Sequence, residues 1–148
     1  MEIHQIPLLR NPVMIVAFSG WNDAAEAASG ALEHLLSGWR EKMDEVVPEL
    51  IADFESEDFY DFQVNRPQVS IDESEIRSIT WPVTQVFGLS VSSMNRDLVI
   101  VTGVEPSMRW KSFTSELLDL ADDLEVSLVI TLGSLLADTP HSRPITVT

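Results

Sequence analysis

The segment that most limits what this chain can become is the run VMIVAF at residues 13–18, uncharged, rich in β-branched side chains, and bounded by Pro12 and by Ser19-Gly20. A run of that kind reads as a strand buried on both faces, and such strands belong to sheets that helices cover on each side. The unit recurs. Residues 97–102 (DLVIVT) end at Gly103, residues 127–132 (SLVITL) end at Gly133, and residues 49–54 (ELIADF) read as a further strand. Between them, residues 23–37 place Ala24, Ala28, Ala31, Leu32 and Leu35 at helical spacing, with Asn22 or Asp23 as cap, Glu26 in the capping-box position and Gly38 as the terminating residue. Residues 107–125 carry a second stripe, Phe113, Leu117, Leu120, Ala121 and Leu124. A short helical piece is expected over 40–47, stopped by Pro48, a long ordered loop over 55–67, and two strand-like pieces within 70–81 about a turn at 72–74. Strand and helix alternating in this way predict one α/β domain over residues 1–148 with a largely parallel sheet and right-handed crossovers.

Charge narrows the partners. The 148 residues hold 24 acids against 9 bases, a formal charge of -15, so a nucleic-acid backbone or an anionic membrane surface is an unfavourable partner. Residues 41–75 alone carry 12 of the acids and only Lys42 and Arg66 in opposition, which reads as a solvated face or as a docking surface for a basic partner. The chain has no cysteine, hence no disulfide or thiolate metal site, and no run approaching the roughly 18 apolar residues of a membrane span. A cytoplasmic location is expected.

Parallel strands point their carboxyl ends at one edge of the sheet, where α/β proteins usually bind ligands. Three loops leave that edge, residues 19–23, 103–110 and 133–144. They make Trp21, Asn22, Asp23, Glu105, Arg109, Asp138 and His141 the candidate binding residues, with Trp110 and Arg143 beside them. The plainer reading makes the tryptophans core residues, Asp23 a helix cap and Arg109 half of an ion pair. Arg109 at a helix start needs an anion, either an internal acid such as Asp23, Glu105 or Asp138, or an external carboxylate or phosphate. No metal or cofactor is expected: the three histidines, His4, His34 and His141, are not at ligand spacing, the acids near 53–58 lack a calcium loop's glycine and terminal glutamate, and no glycine-rich phosphate motif occurs. Ser134, Asp138 and His141 have the residue types of a triad but no nucleophile elbow, and no catalytic residue is assigned.

The stretches GWNDA (20–24), DFYDFQVNRP (58–67), Trp81-Pro82, GVEPSMRW (103–110) and TLGSLLADTPHSRP (131–144), in this order, closely resemble the bacterial, actinobacterial branch of the proteasome assembly chaperone family. The resemblance implies a three-layer α/β/α domain of the phosphorylase/hydrolase-like kind. It implies a non-catalytic interaction or assembly-chaperone-like protein, with a protein partner and self-association. The alternative it leaves open is a small-molecule enzyme, an ATP-grasp-associated carboxylate-amine ligase or hydrolase-like protein, working at the same loops. Two departures stand out: the chain ends ITVT where ring-docking chaperones have a hydrophobic-Tyr-any tail, and bacterial members are about twice as long, so this chain is expected to be the amino-terminal portion of a longer protein.

Overall fold

The structure is a computed structural model and describes residues 1–42, 47–72, 75–90, 93–138, 140 and 142–144. A six-stranded sheet forms its centre, in the spatial order β1 (Glu2–Ile3), β3 (Glu49–Asp53), β6 (Thr84–Leu89), β7 (Leu98–Val104), β2 (Val13–Ser19) and β8 (Leu128–Thr131). β2 lies parallel to both β7 and β8, pairing Val13 with Leu98 and with Leu128. β6 runs antiparallel between β3 and β7, and β1 is antiparallel to β3. The α/β fold expected from the sequence is therefore present: β3, β7, β2 and β8 share one direction and β6 and β1 run the other way. A separate antiparallel hairpin, β4 (Gln68–Ile71) and β5 (Arg77–Thr80), occupies the predicted 70–81 region, with residues 73–74 of its turn outside the described residues.

Side chains alternate across β2, and each half finds its own layer. Val13 and Ala17 pack with Leu98 and Ile100 against Ala28, Leu32 and Leu36 of helix α1 (Ala27–Lys42). Met14 and Val16 pack with Val99 and Val101 against Phe113, Leu120 and Ala121 of helix α3 (Trp110–Asp123) and against Leu124, which caps its end. The α3 stripe matches the expected one. On α1 the buried stripe ends in Leu36 rather than Leu35, and the helix runs through Gly38 instead of stopping there. A glycine inside a helix costs only about 1 kcal/mol relative to alanine, which the packing of Leu32 and Leu36 offsets. The expected piece at 40–47 thus begins as the end of α1, and its residues 43–46 lie outside the described residues.

β6 has no counterpart in the sequence reading. It completes the core from the antiparallel side: Phe54, Phe59 and Phe113 meet there, with Phe54 and Phe113 ring centroids 4.2 Å apart. Phe59 ends a short helix, α2 (Ser56–Phe59), inside the segment expected to be an ordered loop. Next to it the buried Tyr60 hydroxyl meets Thr84 Oγ1 at 2.6 Å, and the threonine hydroxyl donates onward to the Val104 carbonyl at 3.2 Å. Gly103 permits this crowding, since its φ of +153° suits glycine and a Cβ there would overlap the Val83 carbonyl oxygen. Among the described residues no helix is long and apolar enough to cross a membrane.

Candidate functional site

The loop after β2 is tied to the loop after β8 by backbone and hydroxyl. The Ser134 amide donates to the Asn22 carbonyl at 3.0 Å, the Ala24 amide to the Ser134 carbonyl at 3.1 Å, and the Ser134 hydroxyl to the Ala24 carbonyl at 2.9 Å. Ser134, a nucleophile by residue type, is thereby engaged as a structural clasp. Asp23 sits inside this clasp, 6% exposed. Its Oδ1 accepts the Ala28 amide at 2.8 Å and the Ser29 amide at 3.2 Å, and its Oδ2 accepts the Ser29 hydroxyl. Burial opposes ionisation of Asp23, yet the donors from Ser29, Ala28 and Ser134 outweigh it and hold the carboxyl below the ordinary aspartate range. The helix cap read from the sequence is thus present. It acts across the 3-10 turn Ala24–Glu26, and the Asp23 amide donates to Gly20 at 3.3 Å.

The loop after β7 closes on the loop after β2. Glu105 Oε2 accepts the Trp21 amide at 3.1 Å, and the Glu105 amide donates to the Ser19 carbonyl at 2.9 Å. Gly20 is required at this approach, because a Cβ on it would stand 2.9 Å from that of Glu105. Asn22 and Glu105 then share a hollow of about 230 Å³ with Trp110, Phe18 and Leu132. Trp21 itself, fixed through its amide, turns its indole outward and is 87% exposed. It is no core residue, and Trp110 is only partly covered, edge-on to Phe113 at 6.3 Å.

Arg109 takes a different partner from those the sequence suggested. It caps α3 in the left-handed conformation, φ 54°, and its guanidinium forms an ion pair with Asp58 while lying 5.4 Å from the Phe59 ring centroid. Asp23, Glu105 and Asp138 are not its anions; the first two are held as described, and Asp138 is exposed on the third loop. His141 lies outside the described residues. Two of the family-like stretches are in fact one contact surface: Ser107 and Met108 amides both donate to the Phe59 carbonyl, at 2.9 and 3.2 Å, and Asn65 Nδ2 donates to the Ser107 hydroxyl at 2.8 Å.

A second and larger hollow opens on the other flank of the first loop, about 520 Å³, between Ser19, Gly20 and Val104 at the sheet edge and Asn65, Arg66 and Trp81 beside the hairpin. The candidate residues did not include its walls, although the Asn65-Arg66-Pro67 and Trp81-Pro82 stretches had stood out in the sequence. Trp81 is braced there against Phe62, ring centroids 4.9 Å apart. Among the described residues, no group of three or more histidines and acids is placed to hold a metal.

Comparison with known proteins bears on the family and the fold. The PAC2 family model matches residues 17–148. A PAC2 family protein from Streptomyces avermitilis is 51% identical, with a TM-score of 0.78 over 90% of this chain and 54% of its own. A proteasome-assembly chaperone homologue from Mycobacterium tuberculosis is 42% identical, with a TM-score of 0.78 over 89% of this chain and 53% of its own. A protein of unknown function from the same organism is 28% identical, with a TM-score of 0.79 over 98% of this chain and 50% of its own. The chain thus spans about half the length of the solved relatives it matches, and no curated protein matches it. With a family model covering most of its length and 51% identity to a solved member over 90% of the chain, the chain belongs to the PAC2 family.

Proposed function

We propose that this chain is a cytoplasmic, non-catalytic interaction protein of the assembly-chaperone kind, and that it meets a protein partner with the loops at the carboxyl edge of its sheet. One observation carries this reading. Four polar side chains that an enzyme could aim into a pocket are spent on internal bonds, Asp23 on α1, Ser134 on Ala24, Glu105 on Trp21 and Arg109 on Asp58, while the Trp21 indole stands in solvent on a loop clasped from both sides. A rigidly held, exposed tryptophan is the residue type that most often anchors a protein interface. The likeness to a proteasome-assembly chaperone homologue supports the same class of activity, with the partner's identity open.

Self-association belongs to the same proposal. Among the described residues β8 is the last strand on its side of the sheet, with Leu128 50%, Val129 42% and Ile130 38% exposed, apolar on both faces. Single-sheet edges of this composition invite further pairing. The decisive experiment is affinity co-purification of the full-length protein from its host, run beside its Trp21→Ser form. The reading expects a protein captured by the first and lost from the second; retention of a small molecule with no protein above control would favour the enzyme alternative instead.

A further inference from the structure

The 520 Å³ hollow beside the hairpin has a composition unlike the rest of the chain. Among the described residues its lining holds one cation, Arg66, and no acid, in a protein with 24 acids and 9 bases. The Arg66 guanidinium has no hydrogen bond or ion pair among the described residues, whereas Arg10 and Arg109 each bind an aspartate. Around it the wall is mixed: Val64, Pro82, Val83 and the Trp81 ring on the apolar side, Gln68 and Thr80 on the polar side. Gln68 and Thr80 are directly paired in the hairpin, so one hairpin face looks into the hollow, while the other carries Val69, Ile71 and Ile79 outward.

A cation set against apolar walls selects a ligand whose negative charge is joined closely to an apolar body. The hollow falls within the usual ligand-site range of about 300 to 1,000 Å³, too small for a folded surface but enough for about two residues of peptide. Because the molecule as a whole repels acidic surfaces, recognition of an anion here must be local and end-on. We propose that this cleft receives a carboxylate attached to an apolar residue, the carboxyl terminus of a partner peptide, with Arg66 binding the carboxylate and Trp81 covering the side chain. Arginine suits this because its planar fork meets both carboxylate oxygens at once. The peptide source rests on the interaction reading above; the carboxylate site does not.

The test titrates the full chain with three acetylated hexapeptides: one ending in leucine with a free carboxylate, the carboxamide of the same sequence, and that carboxamide with one internal residue replaced by aspartate, which is expected to bind no better than the plain carboxamide. Succinate serves as the small-acid probe, and binding is followed by calorimetry. The free-carboxylate peptide is expected to bind, the carboxamide to bind at least tenfold more weakly, and Arg66→Gln to remove the difference with an unchanged far-UV dichroism spectrum. Trp81→Ala should weaken the peptide but not alter its preference for a free carboxylate. Tightest binding by succinate, still dependent on Arg66, upholds the carboxylate site and assigns it to a small acid, which removes the peptide source. Equal binding of acid and amide, indifference to Arg66→Gln, or no binding by any probe overturns the proposal. If Arg66→Gln still co-purifies the partner that Trp21→Ser loses, this cleft is not the partner's site and the interaction reading stands.

Discussion

Arg109 reaches back 51 positions to form an ion pair with Asp58 while its guanidinium lies over the ring of Phe59, the very next residue after that aspartate. The pair fastens the loop after β7 to the segment around α2, and both partners remain about half exposed. An exposed pair contributes about 0 to 1 kcal/mol, and a half-exposed cation against the buried Phe59 ring about 0.5 to 1. Arg109→Ala should therefore lower stability in a urea titration by no more than about 2 kcal/mol. A loss of 3 kcal/mol or more would mean a buried pair.

Asp23 should matter for both stability and pH. Removing a helix cap costs about 0.5 to 2 kcal/mol, and Asp23→Ala should fall at the upper end because two amides and a hydroxyl lose their acceptor. Its carboxyl is held lower in the folded protein than in the unfolded chain, whose value is about 3.9. The unfolded chain therefore binds the proton first as pH falls. The stabilisation is complete above that value and is lost as pH drops through the folded one. Melting temperatures measured from pH 6 to 2.5 should fall less steeply for Asp23→Ala than for the native sequence. Parallel curves would show that the carboxylate is not held in this way.

Tyr60 is the chain's only tyrosine, so its ionisation can be read without ambiguity. Burial pushes the phenol up to about 12, against the smaller opposing effect of Thr84. Ultraviolet titration should show no phenolate until well above pH 10, with stability falling between pH 10 and 12 because the unfolded chain gives up the proton first. Tyr60→Phe should cost about 0.5 to 1.5 kcal/mol, the net value of one hydrogen bond. A phenol that titrates at pH 10 in the folded protein contradicts the buried contact.

The exposed apolar residues of β8 predict concentration-dependent association. Light scattering should detect species larger than the monomer, and Ile130→Lys should shift the distribution back toward it, since a charge on an edge strand opposes further pairing. A monomer at high concentration with and without the substitution removes self-association from the proposal.

Local pattern revealed β2, β7, the stripe of α3 and the Asp23 cap, because each depends on a short run of residues and its immediate neighbours. β6 stayed hidden: TQVFGL interrupts its apolar residues with Gln85 and Gly88, and its place depends on β3 and β7 lying on either side. The end of α1 was misplaced because glycine is a weak stop when leucines before it are buried. The partner of Arg109 was out of reach for a third reason. Its choice of Asp58 follows from where α2 carries the 58–67 segment, and nothing near Arg109 in sequence reports that. The walls of the larger cleft were visible as unusual stretches, but only the hairpin's position turns Arg66 and Trp81 toward the same space.

The order of strands also sets a timetable for synthesis. β2 is an early product of translation, yet its two neighbours begin at Leu98 and Leu128, so its ladders cannot close until those strands have been made. At roughly 5 to 20 residues per second, the VMIVAF run waits on the order of 6 to 20 seconds for β8. Until β7 has been made it is an uncharged, β-prone segment without either of its strand neighbours, and until β8 follows one edge of it stays open. The unpaired edges of this run are therefore exposed longest on the ribosome, before its two neighbours have been made.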